Sequence, residues 1–247
     1  MTTAPFVKIC GITRPEDARA AVEAGADAVG VVMASDSPRA CTIEEARAVF
    51  AVVPPGVLRV VVSHTDSAEG LAACLAAGPD ALQLSEPLAV PPSAGVAVIR
   101  VVGPGNPVPG DCAMVIVDAS HGRGRLFDGV YAREVAAGST VPVLLAGGLS
   151  PENVGAAVRE VRPFGVDVAS GVEAAPGIKD HARIRAFVRA AKGAWQDQGD
   201  VAGEPREPPG EPRSENEPGP RGPCRPGWPV ARRCPWPGRT RDGAGVS

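Results

Sequence analysis

The first 196 residues contain eight short runs of β-branched and other apolar residues, and most of these runs are followed by an alanine-rich stretch with helical character. The alternation predicts a parallel sheet covered by helices, because parallel strands need long crossover connections. The predicted strands are Val7–Ile9, Ala28–Val32, Leu58–Val62, Ala81–Leu84, Val96–Val102, Met114–Val117, Val141–Ala146 and Gly165–Ala169. The predicted helices are Pro15–Ala24, Thr42–Val53, Ser67–Ala77, Val130–Ala137, Ser150–Glu160 and Asp180–Lys192.

The number and spacing of the runs favour an α/β fold in which the sheet closes into a (β/α)8 TIM barrel. Each strand and its connection have about 24 residues, and a total of about 200 is the lower end for such barrels. Residues 85–95 and 103–113 hold too many prolines for ordinary helices, so we expect the fourth and fifth helices to be reduced. A doubly wound open sheet has the same periodicity and remains an alternative.

The composition changes after residue 196. Residues 197–247 contain 11 prolines and 9 glycines, and no Leu, Ile, Phe, Tyr or Met follows Trp195. Such a segment cannot bury enough apolar area to offset the entropy of ordering it. We therefore expect a barrel domain at 1–196 and a disordered Pro/Gly/Arg-rich tail at 197–247.

The charge, the apolar runs and the cysteine spacing argue against several classes of protein. The formal net charge is -3, so no nucleic-acid surface is indicated. No apolar run approaches the ~20 residues of a membrane helix, and the N-terminus lacks a secretory signal pattern, which makes the cytoplasm the expected location. The six cysteines form no CxxC motif and no histidine stands at ligand spacing, so we expect neither a metal site nor a disulfide framework.

Polar residues that end the strands are the candidates for chemistry, because active sites of parallel barrels lie at the carboxyl ends of the strands. Cys10 and Asp118 are a cysteine and a carboxylate that end strands before a glycine-containing loop. A thiolate can remove a carbon-bound proton and a carboxylic acid can donate one, so these two residues are candidates for acid–base catalysis. A buried apolar cysteine and a loop-capping aspartate are the alternatives.

Two further strand ends predict an anion site. Gly147-Gly148 and Ser170-Gly171 follow the seventh and eighth strands. Backbone N–H groups after these strands can hold a phosphate, and glycine permits close approach of the backbone. A simple turn after each strand remains the alternative reading.

The residues of several segments match one known family. KICGIT at 8–13, the SPR of 37–39, VDAS at 117–120, LLAGGLSPENV at 144–154 and GVDVASGVEAAPGIKD at 165–180 resemble phosphoribosylanthranilate isomerases, in family order across residues 7–192. The first and last of these segments are the most specific.

The resemblance implies a cofactor-free Amadori rearrangement of a phosphosugar in tryptophan biosynthesis, by a monomer or homodimer. It implies that Cys10 is the general base that takes the C2 proton and Asp118 the general acid that protonates the ring oxygen. Arg39 would pair with the anthranilate carboxylate, for which a guanidinium fork is suited. Asp167 would lie beside the substrate hydroxyls, and the two glycine loops would take the phosphate.

The chain also departs from the family pattern. It has Met33 where an aromatic residue is usual, Ser85-Glu86 in place of His-Gly, and Arg123 in a loop that is usually Gly-Gly-Thr-Gly. A cation beyond Asp118 would keep the aspartate ionised or meet an anionic substrate. A phosphosugar-binding barrel, or a specialised paralogue with altered or lost isomerase activity, is therefore the alternative function. The sister reaction of histidine synthesis is disfavoured because Cys10 stands where that family has Asp.

Overall fold

The computed structural model describes residues 6–103, 106–118 and 129–200, with side chains up to residue 195. The prediction of a disordered tail concerns residues that lie almost entirely outside these ranges, and Arg123 lies outside them too. Within them, eight parallel strands form a closed barrel in chain order. The strands are β1 (Phe6–Ile9), β2 (Ala28–Val32), β3 (Leu58–Ser63), β4 (Ala81–Leu84), β5 (Ala97–Val102), β6 (Met114–Asp118), β7 (Val143–Ala146) and β8 (Gly165–Val168).

The predicted TIM barrel is confirmed, and the open sheet is excluded by the pairing of the first strand with the last. Lys8 of β1 is aligned with Asp167 of β8 on one side and with Ala28 of β2 on the other. The helices are α1 (Pro15–Glu23), α2 (Ile43–Phe50), α3 (Ala68–Ala76), α4 (Gly129–Gly138), α5 (Val154–Val161) and α6 (His181–Asp200). After β8, a short antiparallel hairpin of β9 (Glu173–Ala175) and β10 (Ile178–Lys179) precedes α6.

The alternation of side chains along the strands separates two apolar layers. In β1, Val7 and Ile9 face the helices, whereas Phe6 and Cys10 belong to the cluster that fills the barrel interior. Period-two alternation therefore also directs Lys8 inward. The interior layer and the strand–helix layer together bury most of the apolar residues of the strands.

The fourth and fifth helices are reduced, as predicted. A single 3-10 turn at Pro92–Ala94 connects β4 to β5, and the described residues between β5 and β6 contain no helix. The buried side chain of Arg100 lies on the outer side of β5, the side that helices cover on other strands of the barrel. Its guanidinium donates to the carbonyls of Glu86 and Leu88 at 2.9 Å each and to the carboxylate of Asp111 at 2.8 Å. One buried side chain thus joins the two helix-poor connections.

Local sequence signals place some helix ends correctly and others wrongly. The predicted helix start at Thr42 is close to the observed one, because Thr42 is the N-cap of α2 and forms a capping box with Glu45. The prediction that a helix begins at Ser150 is wrong, because a turn intervenes and Asn153 is the N-cap of α5. The side-chain oxygen of Asn153 accepts from the Ser150 backbone N–H at 2.8 Å, which stabilises that turn. The last helix reaches Asp200 and so extends beyond the predicted end.

A buried carboxylate ties the beginning of the barrel to its end. Asp17 of α1 is fully buried and accepts two hydrogen bonds from the Arg14 guanidinium, one from the ring of His181 and one from the backbone N–H of Lys179. Burial raises the pKa of Asp17, but these donors outweigh burial and the pKa is lowered. The network fixes α1 against β10 and the start of α6. Among the helices of the described residues, none is long and apolar enough to cross a membrane.

Candidate active site

The interior of the barrel holds an ion pair below the strand ends. Lys8 of β1 has no exposed surface, and its Nζ lies 2.9 Å from Oδ1 of Asp167 on β8. Burial alone would lower the pKa of Lys8, but the Asp167 carboxylate and Cys10 outweigh it, so the pKa is raised and the amine stays protonated. Asp167 is therefore neutralised by a partner that the sequence analysis did not assign.

Cys10 lies next to this pair at the carboxyl end of β1. Its Sγ and the Nζ of Lys8 each lie 3.2 Å from the point where a Cβ on Gly30 would stand. Gly30 of β2 therefore leaves the space that the two functional groups occupy. Burial raises the pKa of the Cys10 thiol, and although Lys8 and Lys179 oppose the rise, the net pKa is above its ordinary value. The ligand-free site thus favours the thiol.

Arg39 follows β2 and lies at the mouth of the barrel in a two-point ion pair. Its Nε and Nη2 donate to the two carboxylate oxygens of Glu173 at 2.8 Å each. The pairing raises the pKa of Arg39 against the effect of burial. Burial would raise the pKa of Glu173, but Arg39 and Lys179 outweigh it and the pKa is lowered. Both partners are therefore charged.

Lys179 of β10 completes this cluster. Its fully buried Nζ donates to Glu173 Oε1 and to the carbonyl oxygen of Ala169, both at 2.9 Å. Burial lowers the pKa of Lys179, and Glu173 only partly offsets that effect. The hairpin after β8 thus brings a glutamate and a lysine over the end of β1, beside Arg39.

Asp118 is the last residue of β6 and is half-buried. Its strand neighbours Met114 and Ile116 fill the barrel interior, so Asp118 is on the same inward face as Cys10. Its backbone is aligned with Ala146 at the end of β7, next to the first glycine loop. The candidate acid and the candidate base thus lie at the same end of the barrel.

The two glycine loops after β7 and β8 lie against each other. A Cβ on Gly171 would collide with the carbonyl oxygen of Leu149, so the backbone of one loop packs directly on the backbone of the other. Gly147 and Gly148 have φ angles of 95° and 63°, which side chains rarely adopt. Ser170 and Gly171 begin a 3-10 turn, and Ser170 is exposed at the mouth. The two loops therefore adjoin each other at the ends of β7 and β8.

Gln83 of β4 also faces the interior, because its neighbours Leu82 and Leu84 belong to the helix-facing layer. Its side-chain Oε1 is buried and has no hydrogen-bond partner within the described part of the chain. Buried acceptors are nearly always paired in native proteins, so an unpaired acceptor in the barrel interior suits a polar ligand. His64, which follows β3, is exposed and lines an open cavity of about 460 Å³ at the mouth with Asp36 and Ser37.

The sequence analysis missed Lys8, Glu173 and Lys179. Alternation offered a signal for Lys8, because a lysine between Val7 and Ile9 in a strand buried on both faces must lie in the barrel interior. The strand–helix pattern offered no signal for Glu173 and Lys179, because the hairpin that presents them follows the last strand. Their place in the family-like segment 165–180 was the signal available.

Comparisons with known proteins agree with one another. The model of the N-(5'phosphoribosyl)anthranilate (PRA) isomerase family matches residues 7–190. The N-(5'-phosphoribosyl)anthranilate isomerase of Methanoregula boonei is 56% identical over 189 residues, which cover 76% of this chain and 97% of the relative.

Two solved structures are similar to the described barrel. One is a phosphoribosyl anthranilate isomerase in complex with reduced 1-(o-carboxyphenylamino)-1-deoxyribulose 5-phosphate, with 36% identity, a TM-score of 0.63, and coverage of 76% of this chain and 99% of that chain. The other is a structure of monomers of the dimeric isomerase from Thermotoga maritima, with 34% identity, a TM-score of 0.61, and coverage of 76% and 99%.

Proposed function

This chain belongs to the N-(5'-phosphoribosyl)anthranilate isomerase family, and from that premise we propose how its residues carry out the reaction. It is an isomerase of tryptophan biosynthesis that converts N-(5-phosphoribosyl)anthranilate to 1-(2-carboxyphenylamino)-1-deoxyribulose 5-phosphate. The observation that supports the residue roles is the common inward face of Cys10 and Asp118 at one end of the barrel.

The reaction needs one acid and one base. Asp118 donates a proton to the furanose ring oxygen, the ring C–O bond breaks, and the nitrogen lone pair forms a protonated imine at C1. The Cys10 thiolate then takes the C2 proton, and the C2–H electron pair moves to neutralise the imine nitrogen. The resulting enolamine tautomerises to the aminoketose. The positive imine beside Cys10 favours the thiolate, whose formation burial opposes in the ligand-free protein.

Arg39 binds the anthranilate carboxylate without leaving Glu173. The Nε–Nη2 edge of the guanidinium is used by Glu173, whereas Nη1 donates to no group within the described residues. A guanidinium has five N–H donors, so its Nη1–Nη2 end can hold a second carboxylate. Glu173 fixes the orientation of that free end. Asp167, held by Lys8, accepts from the substrate hydroxyls with its remaining lone pairs.

The phosphate binds in the surface formed by Gly147, Gly148, Ser170 and Gly171. Gly147 and Gly148 donate no backbone hydrogen bond to any described residue. Free N–H groups on two adjoining loops suit the oxygens of a phosphate dianion. The contact between the loops holds these donors in place before the substrate arrives.

The roles of Cys10 and Asp118 are tested by single substitutions. We expect Cys10→Ser and Asp118→Asn each to lower kcat by at least about 100-fold with little change in KM, since each removes one proton-transfer group. Cys74→Ala is the matched control, because Cys74 is buried in α3 on the helix-facing side of the strands. Wild-type turnover by both Cys10→Ser and Asp118→Asn would refute the assignment. Growth of a tryptophan auxotroph that lacks this isomerase tests the activity in cells.

We further infer that residues 1–196 form the catalytic domain and that it acts in the cytoplasm. We expect a monomer or homodimer that binds neither nucleic acid nor a membrane. The family match at 7–190 and the dimeric relative support this organisation. Sedimentation equilibrium of the purified chain distinguishes the two oligomeric states.

A further inference from the structure

Lys8 has no place in the proton transfers described above, although its ammonium group lies against Cys10. The side chain is 0% exposed and is therefore shielded from bulk water. Its Nζ and the sulfur of Cys10 share the space that the missing Cβ of Gly30 leaves. The charge of Lys8 therefore acts on Cys10 over a short distance inside the barrel.

The hydrogen bonds of Lys8 are incomplete. An ammonium group has three N–H donors, and Asp167 accepts one of them at 2.9 Å. No other oxygen or nitrogen atom in the described ranges accepts from Nζ, and a buried donor without an acceptor is costly. The sulfur of Cys10 is in reach, and an ionised sulfur accepts far more strongly than a thiol. Lys8 thus opposes the effect of burial and makes loss of the Cys10 proton less unfavourable than burial alone would make it.

Asp167 has the opposite effect. Its carboxylate neutralises Lys8 and, as a negative charge, disfavours a second negative charge on Cys10. Two further cations act on the same sulfur, Lys179 on β10 and Arg39 after β2. Asp118 lies at the same end of the barrel, at the end of β6. Glu173 on β9 is paired with both Arg39 and Lys179. The ion pair of Lys8 and Asp167 therefore places two opposing charges near Cys10: Lys8 stabilises the thiolate and Asp167 destabilises it.

We propose that Lys8 is a positioning residue that stabilises the Cys10 thiolate, while Asp167 limits that stabilisation. This proposal rests on the assignment of Cys10 as the base. When Cys10 ionises, the S–H bond breaks, the proton passes to water at the barrel mouth, and the electron pair remains on sulfur. Lys8 keeps its three protons throughout. When the thiolate takes the C2 proton, the S–H bond reforms and Lys8 again pairs with Asp167 alone.

The test is a titration of the thiolate by its absorbance near 240 nm in the full chain. Each variant is compared with the same variant carrying Cys10→Ser, so that the other cysteines cancel. Lys8→Met is made together with Asp167→Asn, because Lys8→Met alone would leave a buried unpaired carboxylate. Should that double variant not fold, as judged by circular dichroism, Lys8→Gln with Asp167→Asn replaces it.

We expect Asp167→Asn to lower the apparent pKa of Cys10, because it removes a negative charge. Relative to Asp167→Asn, adding Lys8→Met should raise that pKa by at least about one unit, a tenfold change in thiolate population. Lys8→Arg keeps the positive charge, so it should keep the pKa of Cys10 near the wild-type value. Equal titration of Asp167→Asn and the double variant would overturn the proposal. Turnover by Cys10→Ser would instead refute the base assignment, so the two failures are distinguishable.

Discussion

Replacing Asp17 with asparagine should destabilise the barrel at the point where its first helix meets its last. The Asp17 carboxylate accepts from Arg14 at 3.0 and 2.8 Å, from the His181 ring at 2.8 Å and from the Lys179 backbone N–H at 3.2 Å. Asparagine keeps one acceptor oxygen and turns an NH2 group toward donors. Arg14 is 37% exposed, so water replaces much of its loss. The His181 ring is 40% exposed, so water replaces part of its loss as well, whereas water does not reach the buried backbone N–H of Lys179. We therefore expect a loss of about 2 kcal/mol in the free energy of unfolding.

Urea denaturation followed by circular dichroism measures this loss, with an unchanged dependence on urea as the sign that the folded state is intact. The lowered pKa of Asp17 adds a pH signature. Its stabilisation is fully present above the ordinary aspartate pKa of about 3.9 and is lost as the pH falls through the lower value in the folded protein. The gap between wild type and Asp17→Asn should therefore narrow below about pH 4. Asp66→Asn, at an exposed position, is the matched control. A loss below about 0.5 kcal/mol at pH 7 would refute the reasoning.

Other substitutions test the site and the domain boundary. Glu173→Gln should raise KM by roughly tenfold because a neutral amide orients the Arg39 guanidinium less firmly, with kcat less affected; an unchanged KM would show that Arg39 needs no such support. Gly171→Ala should weaken binding of inorganic phosphate, measured by calorimetry, because its Cβ displaces the Leu149 carbonyl and separates the two loops; retained affinity would place the phosphate elsewhere. Removal of 201–247 should leave turnover and Tm within error, since the family match ends at residue 190; a large fall in either would show that this segment contributes to the barrel.

The repeat of strands and helices could be predicted from the sequence because each element carries its own local signal. The runs that became β2 and β4 were placed with the observed bounds, Ala28–Val32 and Ala81–Leu84. Closure into a barrel could not be decided by periodicity, since it depends on the pairing of β1 with β8, a contact between opposite ends of the domain.

The site shows the same division between local and distant information. Cys10 and Asp118 were identifiable because strand ends carry function in such barrels. That Arg39 is held by Glu173 could not be read from the sequence, because 133 residues separate them and the hairpin that presents Glu173 breaks the repeat. The direction of the pKa shift of Cys10 was also beyond the sequence. Burial raises this pKa and the nearby Lys8 ammonium lowers it, and only the structure shows which effect is larger.

The arginine on the outer side of β5 has a consequence for how the barrel opens. Elsewhere a helix shields each strand, whereas the wall formed by β4, β5 and β6 depends on Arg100 to hold its two connections. Regions with few buried contacts unfold locally at the lowest free energy. Amide hydrogen exchange should therefore be fastest along this wall and should appear as one cooperative unit, because release of a single guanidinium frees both connections. Because this wall includes the strand that carries Asp118, we expect faster amide exchange on the acid side of the site than on the base side.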